Sequence, residues 1–189
     1  NTNLKLNHSC VLRKGVENNK NQSFIACIAD IFPSPNMTIV EMKEKLIQSL
    51  TYDLFVELQN GNLISIFDDS NNNEITKEFK TSKLYKKLKS KNPEINIYFK
   101  KVISAYNNFI LFLRDNEVLI DHTYLWDLIC KPNAIFVNGY NMIILEIVDD
   151  DITDKIDILC PSNTYSSSLF DEKKNTFILL KNKNYYEPI

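Results

Sequence analysis

Imidazole and thiol groups are the scarcest reactive side chains in this sequence, and they bound what chemistry it can perform. Its 189 residues hold two histidines, His8 and His122, and four cysteines, Cys10, Cys27, Cys130 and Cys160. A thiolate nucleophile needs a partner that stabilises its charge, and imidazole is the side chain that titrates near neutrality, so cysteine–histidine chemistry must draw on these six positions. The cysteines are scattered and form no C-x-x-C pair, which speaks against a zinc knuckle or a redox dithiol and for free thiols in a reducing compartment. Cys27 falls on an apolar helical face with Phe24 and Ile31, where packing competes with catalysis. His122 directly follows Asp121, an expected helix cap, where an imidazole would be solvated or would interact with neighbouring acids.

Two charged stretches offer other chemistry. Asp149 to Asp157 concentrates carboxylates of the kind hard cations prefer, but it lacks the glycine turn and closing glutamate of a calcium loop and reads as a solvated turn between strands. Lys77, Lys80, Lys83, Lys86, Lys87, Lys89 and Lys91 form the one basic stretch, with Tyr85 among them. Such a face can neutralise phosphates, with Lys80, Lys83 and Lys87 the expected contacts, although lysine-rich helices also serve as solubilising surfaces. Only Arg13 and Arg114 are arginine, so bidentate recognition of guanine or phosphate is not expected of it. The three glycines stand alone and build no phosphate-cradling loop, so no nucleotide cofactor is expected, and no metal site either.

The elements that must position these residues are legible from periodicity. A helix is expected from about Ser23, with Phe24, Cys27, Ile28 and Ile31 at helical spacing, stopped by Pro33 and Pro35. Thr38 and Glu41 form a capping box that opens the next helix, with Ile39, Met42, Leu46 and Leu50 on its apolar face. Short helices are expected over 51–58 and 77–91, a longer one over 95–113, and another after Asp121. From Ala134 the pattern changes to short runs rich in branched and aromatic residues, giving expected strands at 134–137, 141–148, 155–159 and 175–180. Helices first and strands second predict an α+β domain, with helices packed on a mostly antiparallel central sheet. A single domain over 1–189, with 44% hydrophobic residues, has enough apolar surface for a core. The net charge of −2 announces no whole-domain attraction to nucleic acid. No apolar run approaches a membrane span and no leader precedes the domain, so a cytoplasmic protein is expected. The chain starts at Asn1 and ends directly after an apparent strand, as a domain excised from a larger protein would. Its wealth of Asn, Lys and Ile fits an AT-rich genome such as that of a large DNA virus.

Two segments fit one known pattern together. Residues 20–30, KNQSFIACIAD, resemble the nucleophile helix of the ovarian-tumour (OTU) family of papain-like deubiquitinases, which reads roughly D-G-N-C-L-F-R-A-x-A-D. The terminal YYEPI of 185–189 resembles the family's H-Y-[DEN]-x-[LVI] strand. Trp126, Asp127 and Leu128, with the apolar runs after them, are similar to the family's W-G-x-x-x-E-L helix and following strands. The resemblance implies an OTU/papain-like fold with Ser23 at the nucleophile position, Tyr185 at the imidazole position and Glu187 at the acidic one, while Lys20 stands where the family has aspartate.

That arrangement has lost its chemistry. A hydroxyl is a far weaker nucleophile than a thiolate, and a phenol with a pKa of about 10 is a poor base near neutrality. Ser23 has the ordinary alternative of helix capping or loop bonding. The expectation is therefore a catalytically inactive, pseudo-deubiquitinase domain serving as a binding or scaffolding module in a larger intracellular, viral polypeptide. Its partners would be ubiquitin or other domains of the parent protein, held in a groove between the Ser23 helix and the terminal strand. Two alternatives stand beside it: an active peptidase using Ser23 or, in a shifted register, Cys27 with His122; and a nucleic-acid-binding part of a viral transcription or virion protein acting through Lys77–Lys91.

Overall fold

The computed structural model describes residues 12–34, 36–69, 74–89, 92–149, 155–160 and 170–189. His8, Cys10, Lys91 and the acidic residues of 150–154 lie outside the described residues.

Among the described residues seven α-helices precede four strands. Helix α1 (Ser23–Ile31) is apolar on nearly every side, and all of Ser23 to Ala29 is buried. A helix without a polar face is stable only when surrounded, and α1 sits between α2 (Ile39–Ser49) and the sheet. Helix α2 starts with the expected capping box: the Glu41 amide donates to the Thr38 hydroxyl, and the Glu41 carboxylate accepts from the Thr38 amide at 2.8 Å. Next come α3 (Tyr52–Phe55), a 3-10 turn (Leu58–Gly61) and α4 (Asn62–Phe67), which sequence periodicity left unassigned. Gln59 and Asn60 take left-handed backbone angles in the turn, and the buried Asp127 carboxylate accepts the Gln59 amide at 2.7 Å.

The lysine stretch is not one helix. A 3-10 turn (Phe79–Thr81) breaks at Ser82, whose hydroxyl caps α5 (Lys83–Leu88) by accepting from the Tyr85 amide. The Asp53 carboxylate takes the Lys83 and Leu84 amides as well, so a partner distant in sequence fixes where α5 starts. Helix α6 (Pro93–Arg114) follows with Pro93 in its first turn, where proline's missing N–H costs nothing. Asp121 caps α7 (His122–Cys130) by accepting the Thr123 amide.

The strands are β1 (Asn141–Ile147), β2 (Ile156–Leu159), β3 (Thr176–Asn182) and β4 (Tyr185–Pro188), in the order β2-β1-β3-β4. Pairs β1/β2 and β3/β4 are antiparallel, while β1 and β3 run parallel with Ile144 opposite Leu179. The molecule is thus α+β with a mixed sheet in which two of three pairings are antiparallel. The strand expected at 134–137 is absent. There the Asn133 side chain accepts from the Ile135 and Phe136 amides and donates to the Leu128 and Lys131 carbonyls, bending the chain into a turn that ends α7.

Two apolar clusters hold these layers. The larger joins α1, α2, α7 and the sheet through residues such as Phe24, Met42, Leu128, Ile144, Leu179 and Tyr186. The smaller gathers Tyr52, Phe79, Phe99, Val102 and Ile103 under α5 and the first half of α6. Tyr106 touches both, its ring centroid 4.2 Å from Tyr52 and 5.7 Å from Phe55.

Candidate functional site

The start of α1 lies directly against β4, so the two segments that resemble the OTU pattern meet in space although 163 residues separate their contacting members. Ser23 is fully buried at the first position of α1. Its hydroxyl does not cap the helix. Instead Oγ accepts the Tyr186 amide at 2.9 Å and donates at 3.4 Å to the carbonyl of Asn184 in the β3/β4 turn. An oxygen enclosed this way, with its proton and a lone pair engaged by backbone, is a tie between helix and strand rather than an exposed nucleophile.

Strand alternation decides the rest. Along β4, Tyr186 and Pro188 face inward, while Tyr185 and Glu187 are partly exposed on the other side. The phenol that enters the core is therefore that of Tyr186, one residue from the position the resemblance singled out. Its hydroxyl meets His122 Nδ1 at 2.7 Å. Phe24 packs edge-on against the Tyr186 ring at 5.2 Å between centroids and against His122 at 6.4 Å. His122 is thus half-buried, with Trp126 against another edge, and the carboxylates of Asp121 and Glu146 act on its charge as neighbouring acids were expected to. Sequence reasoning missed Tyr186 altogether; the doubled tyrosine at 185 and 186 and the apolar alternation of the strand were the available signal.

The electrostatics work against catalysis at each candidate. Burial pushes the Cys27 thiol far up from its ordinary value, and the carboxylates of Asp30 and Glu187 push it the same way, so it carries no thiolate near neutrality. No hydrogen bond joins Cys27 to His122. Cys130 is pushed up to about 12, again chiefly by burial. Burial also lowers the His122 pKa, with Lys181 adding to the shift and Asp121 and Glu146 opposing it. Burial keeps the Tyr186 phenol protonated, supported by Asp121 and opposed by the His122 backbone amide. These are the shifts of a packed interior: among the described residues no cation acts on the Cys27 thiol, and at Cys130 the nearby Lys174 opposes burial without overcoming it.

The acidic positions of the resembled pattern are occupied by cations from the segment ahead of α1. Glu187 pairs with Arg13, and Asp30 with Lys14 at 2.6 Å. The Lys14 amide also donates to the Pro188 carbonyl at 2.9 Å, laying this segment along the outer edge of β4. An open concavity nearby does not have Ser23 in its lining. It is a groove of about 550 Å³ with Ala26, Ala29 and Asp30 as its α1 wall and Lys14 to Glu17, Phe32 and Met37 among its other sides. The groove expected between Ser23 and the terminal strand is closed by the bonds that join them.

Among the described residues no group of three or more histidine, cysteine or acidic side chains has the arrangement of a metal site, and no helix is long and apolar enough to cross a membrane. Of the acidic run, Asp149 is exposed in a left-handed conformation and pairs with Lys155, bracketing the β1/β2 connection. Lys80, Lys83 and Lys87 are exposed and remote in sequence from the α1/β4 junction. No family model matches the chain, and neither a curated protein nor a solved structure matches it.

Proposed function

We propose that this chain is a non-catalytic, OTU-like binding module, a pseudo-deubiquitinase in which the former catalytic junction has become a structural tie. The observation that carries the reading is the fully buried Ser23 hydroxyl, hydrogen-bonded to the Tyr186 amide and the Asn184 carbonyl. Placement of α1 beside the terminal strand supports the OTU-like part of the reading, because the papain-like arrangement puts those elements side by side. Enclosure of Cys27 and the absence of any bond between it and His122 favour binding over peptidase activity. The partner surface in this reading is the groove on α1, and ubiquitin is the partner the resemblance implies. Placement within a larger intracellular, viral protein belongs to the same proposal.

Titration of isotope-labelled chain with mono- and di-ubiquitin tests it. The expected result is saturable shifts of Ala26, Ala29 and Met37 amides, weakened by Met37→Glu. The absence of binding up to millimolar ubiquitin, a free energy weaker than about −4 kcal/mol, removes ubiquitin as partner.

A further inference from the structure

The lysines around α5 take no part in the α1/β4 junction. From Glu74 to Lys101 the chain holds nine lysines against three glutamates, a net of +6; since the whole chain carries −2, the remainder carries −8. The fold turns this charge outward. Phe79 is buried in the smaller apolar cluster and Leu84 and Tyr85 pack against it, whereas Lys77, Lys80, Lys83, Lys86, Lys87 and Lys89 are exposed. Within α5, Lys83 lies three and four residues before Lys86 and Lys87, so the three ammonium groups share one helix face and repel one another.

Several cations in other parts of the molecule have anionic partners: Arg13 with Glu187, Lys14 with Asp30, Arg114 with Glu44, Lys155 with Asp149 and Lys181 with Glu146, whereas Lys20 and Lys173 are exposed and, among the described residues, form no such pair. Among the described residues, none of the six lysines around α5 forms such a pair. A protein with an excess of acid that keeps its lysines together and unneutralised on one face presents a local positive field, and such a field attracts a polyanion.

We infer that this face binds the phosphate backbone of duplex nucleic acid without reading its sequence. Lysine supplies point charges rather than the planar fork that reads guanine, and both arginines are engaged by glutamates on other elements. Single strands are held by rings on which bases stack, but Tyr85 is already packed against Phe79 and Phe99, with centroids 6.0 and 5.2 Å away. The same inward rings disfavour a bilayer surface, where aromatic side chains would point outward as anchors. What remains is backbone neutralisation, whose signature is dependence on salt.

The test is fluorescence anisotropy of the full chain with a labelled duplex of arbitrary sequence between about 50 and 200 mM NaCl. The expected result is binding whose log–log salt slope is about −3 to −5, three to five phosphates being neutralised. Lys83→Glu with Lys87→Glu weakens it roughly tenfold or more and flattens the slope by about 2, whereas the control pair Lys20→Glu with Lys173→Glu, of equal charge change, stays within about twofold. The milder Lys83→Gln with Lys87→Gln, which removes charge without touching the apolar cluster, loses about half as much on the logarithmic scale. Absence of duplex binding at the lowest salt, equal loss in the two reversed pairs, or binding to phosphatidylserine vesicles that duplex does not displace would each overturn the inference.

Discussion

The α1/β4 junction and the lysine face of α5 solve opposite problems with polar groups. At the junction, the Ser23 hydroxyl, the Tyr186 amide and phenol, and the His122 imidazole are paired with one another inside an apolar shell. On α5 the ammonium groups project into solvent from a helix with no buried residue of its own. Polar atoms that are enclosed and satisfied specify structure, while charges left exposed and unneutralised are available to partners. A residue pattern that resembles an active site can therefore sit in the less reactive of two regions.

Substitutions should separate the regions by stability, and the largest effect belongs to Tyr186. Truncation to alanine removes a buried ring packed on Phe24 and its bond to His122, and chemical denaturation should show a loss of about 3–5 kcal/mol. Ser23→Ala comes next: it leaves the Tyr186 amide without its partner in the interior, at a cost of about 1–3 kcal/mol. A Ser23→Ala chain as stable as the parent would mean that the hydroxyl is not the tie between α1 and β4. At the other extreme, Lys83→Gln with Lys87→Gln should stay within about 0.5 kcal/mol, because exposed side chains without partners contribute little. A large loss there would erase the contrast between the regions.

The pH dependence of stability sharpens the junction further. His122 faces the Tyr186 phenol from β4, Asp121 ahead of its own helix, Lys181 from β3 and Glu146 from β1. Burial holds its pKa in the folded protein below the ordinary 6.5, so in the window between the two values the unfolded chain binds more protons. The contribution of neutral, buried His122 is therefore fully present above the unfolded value and is lost as pH falls through it toward the depressed one. Denaturation midpoints measured from pH 7.5 to about 5.5 should fall more steeply for the parent chain than for His122→Gln, since only the parent carries this titration. Parallel profiles would show that the imidazole is not enclosed as described.

Much of the fold was legible because its signals are local. The Thr38–Glu41 capping box, the Asp121 cap, the proline stop after α1 and the apolar runs of β1 and β3 each depend on residues within a few positions of one another. Errors arose where a distant partner or a single side chain overrode the local pattern. Asp53 fixes the start of α5 from 30 residues away and splits the lysine stretch, and Asn133 folds 134–137 into a turn despite its apolar composition. Fold class could thus be read from the order of periods, whereas the parallel β1/β3 pairing had no local signature. At the candidate site, the meeting of α1 with the last strand followed from the resemblance alone. Whether Tyr185 or Tyr186 turns inward depended on strand register, and the pairing of His122 with that phenol spans 64 residues. Strand alternation bears on the first, and no spacing rule covers the second.

The claim that the α1/β4 junction is a closed, non-catalytic tie is tested most directly by peptide-mapping mass spectrometry of the native chain after exposure to iodoacetamide and to an electrophilic ubiquitin probe. Cys160 is exposed and serves as the internal positive control. The expected map shows Cys160 alkylated and Ser23 and Cys27 unmodified by either reagent, with Cys27 labelled only after denaturation. Modification of Ser23 or Cys27 in the folded protein, abolished by the matching alanine substitution, would contradict the account and make the junction an active site.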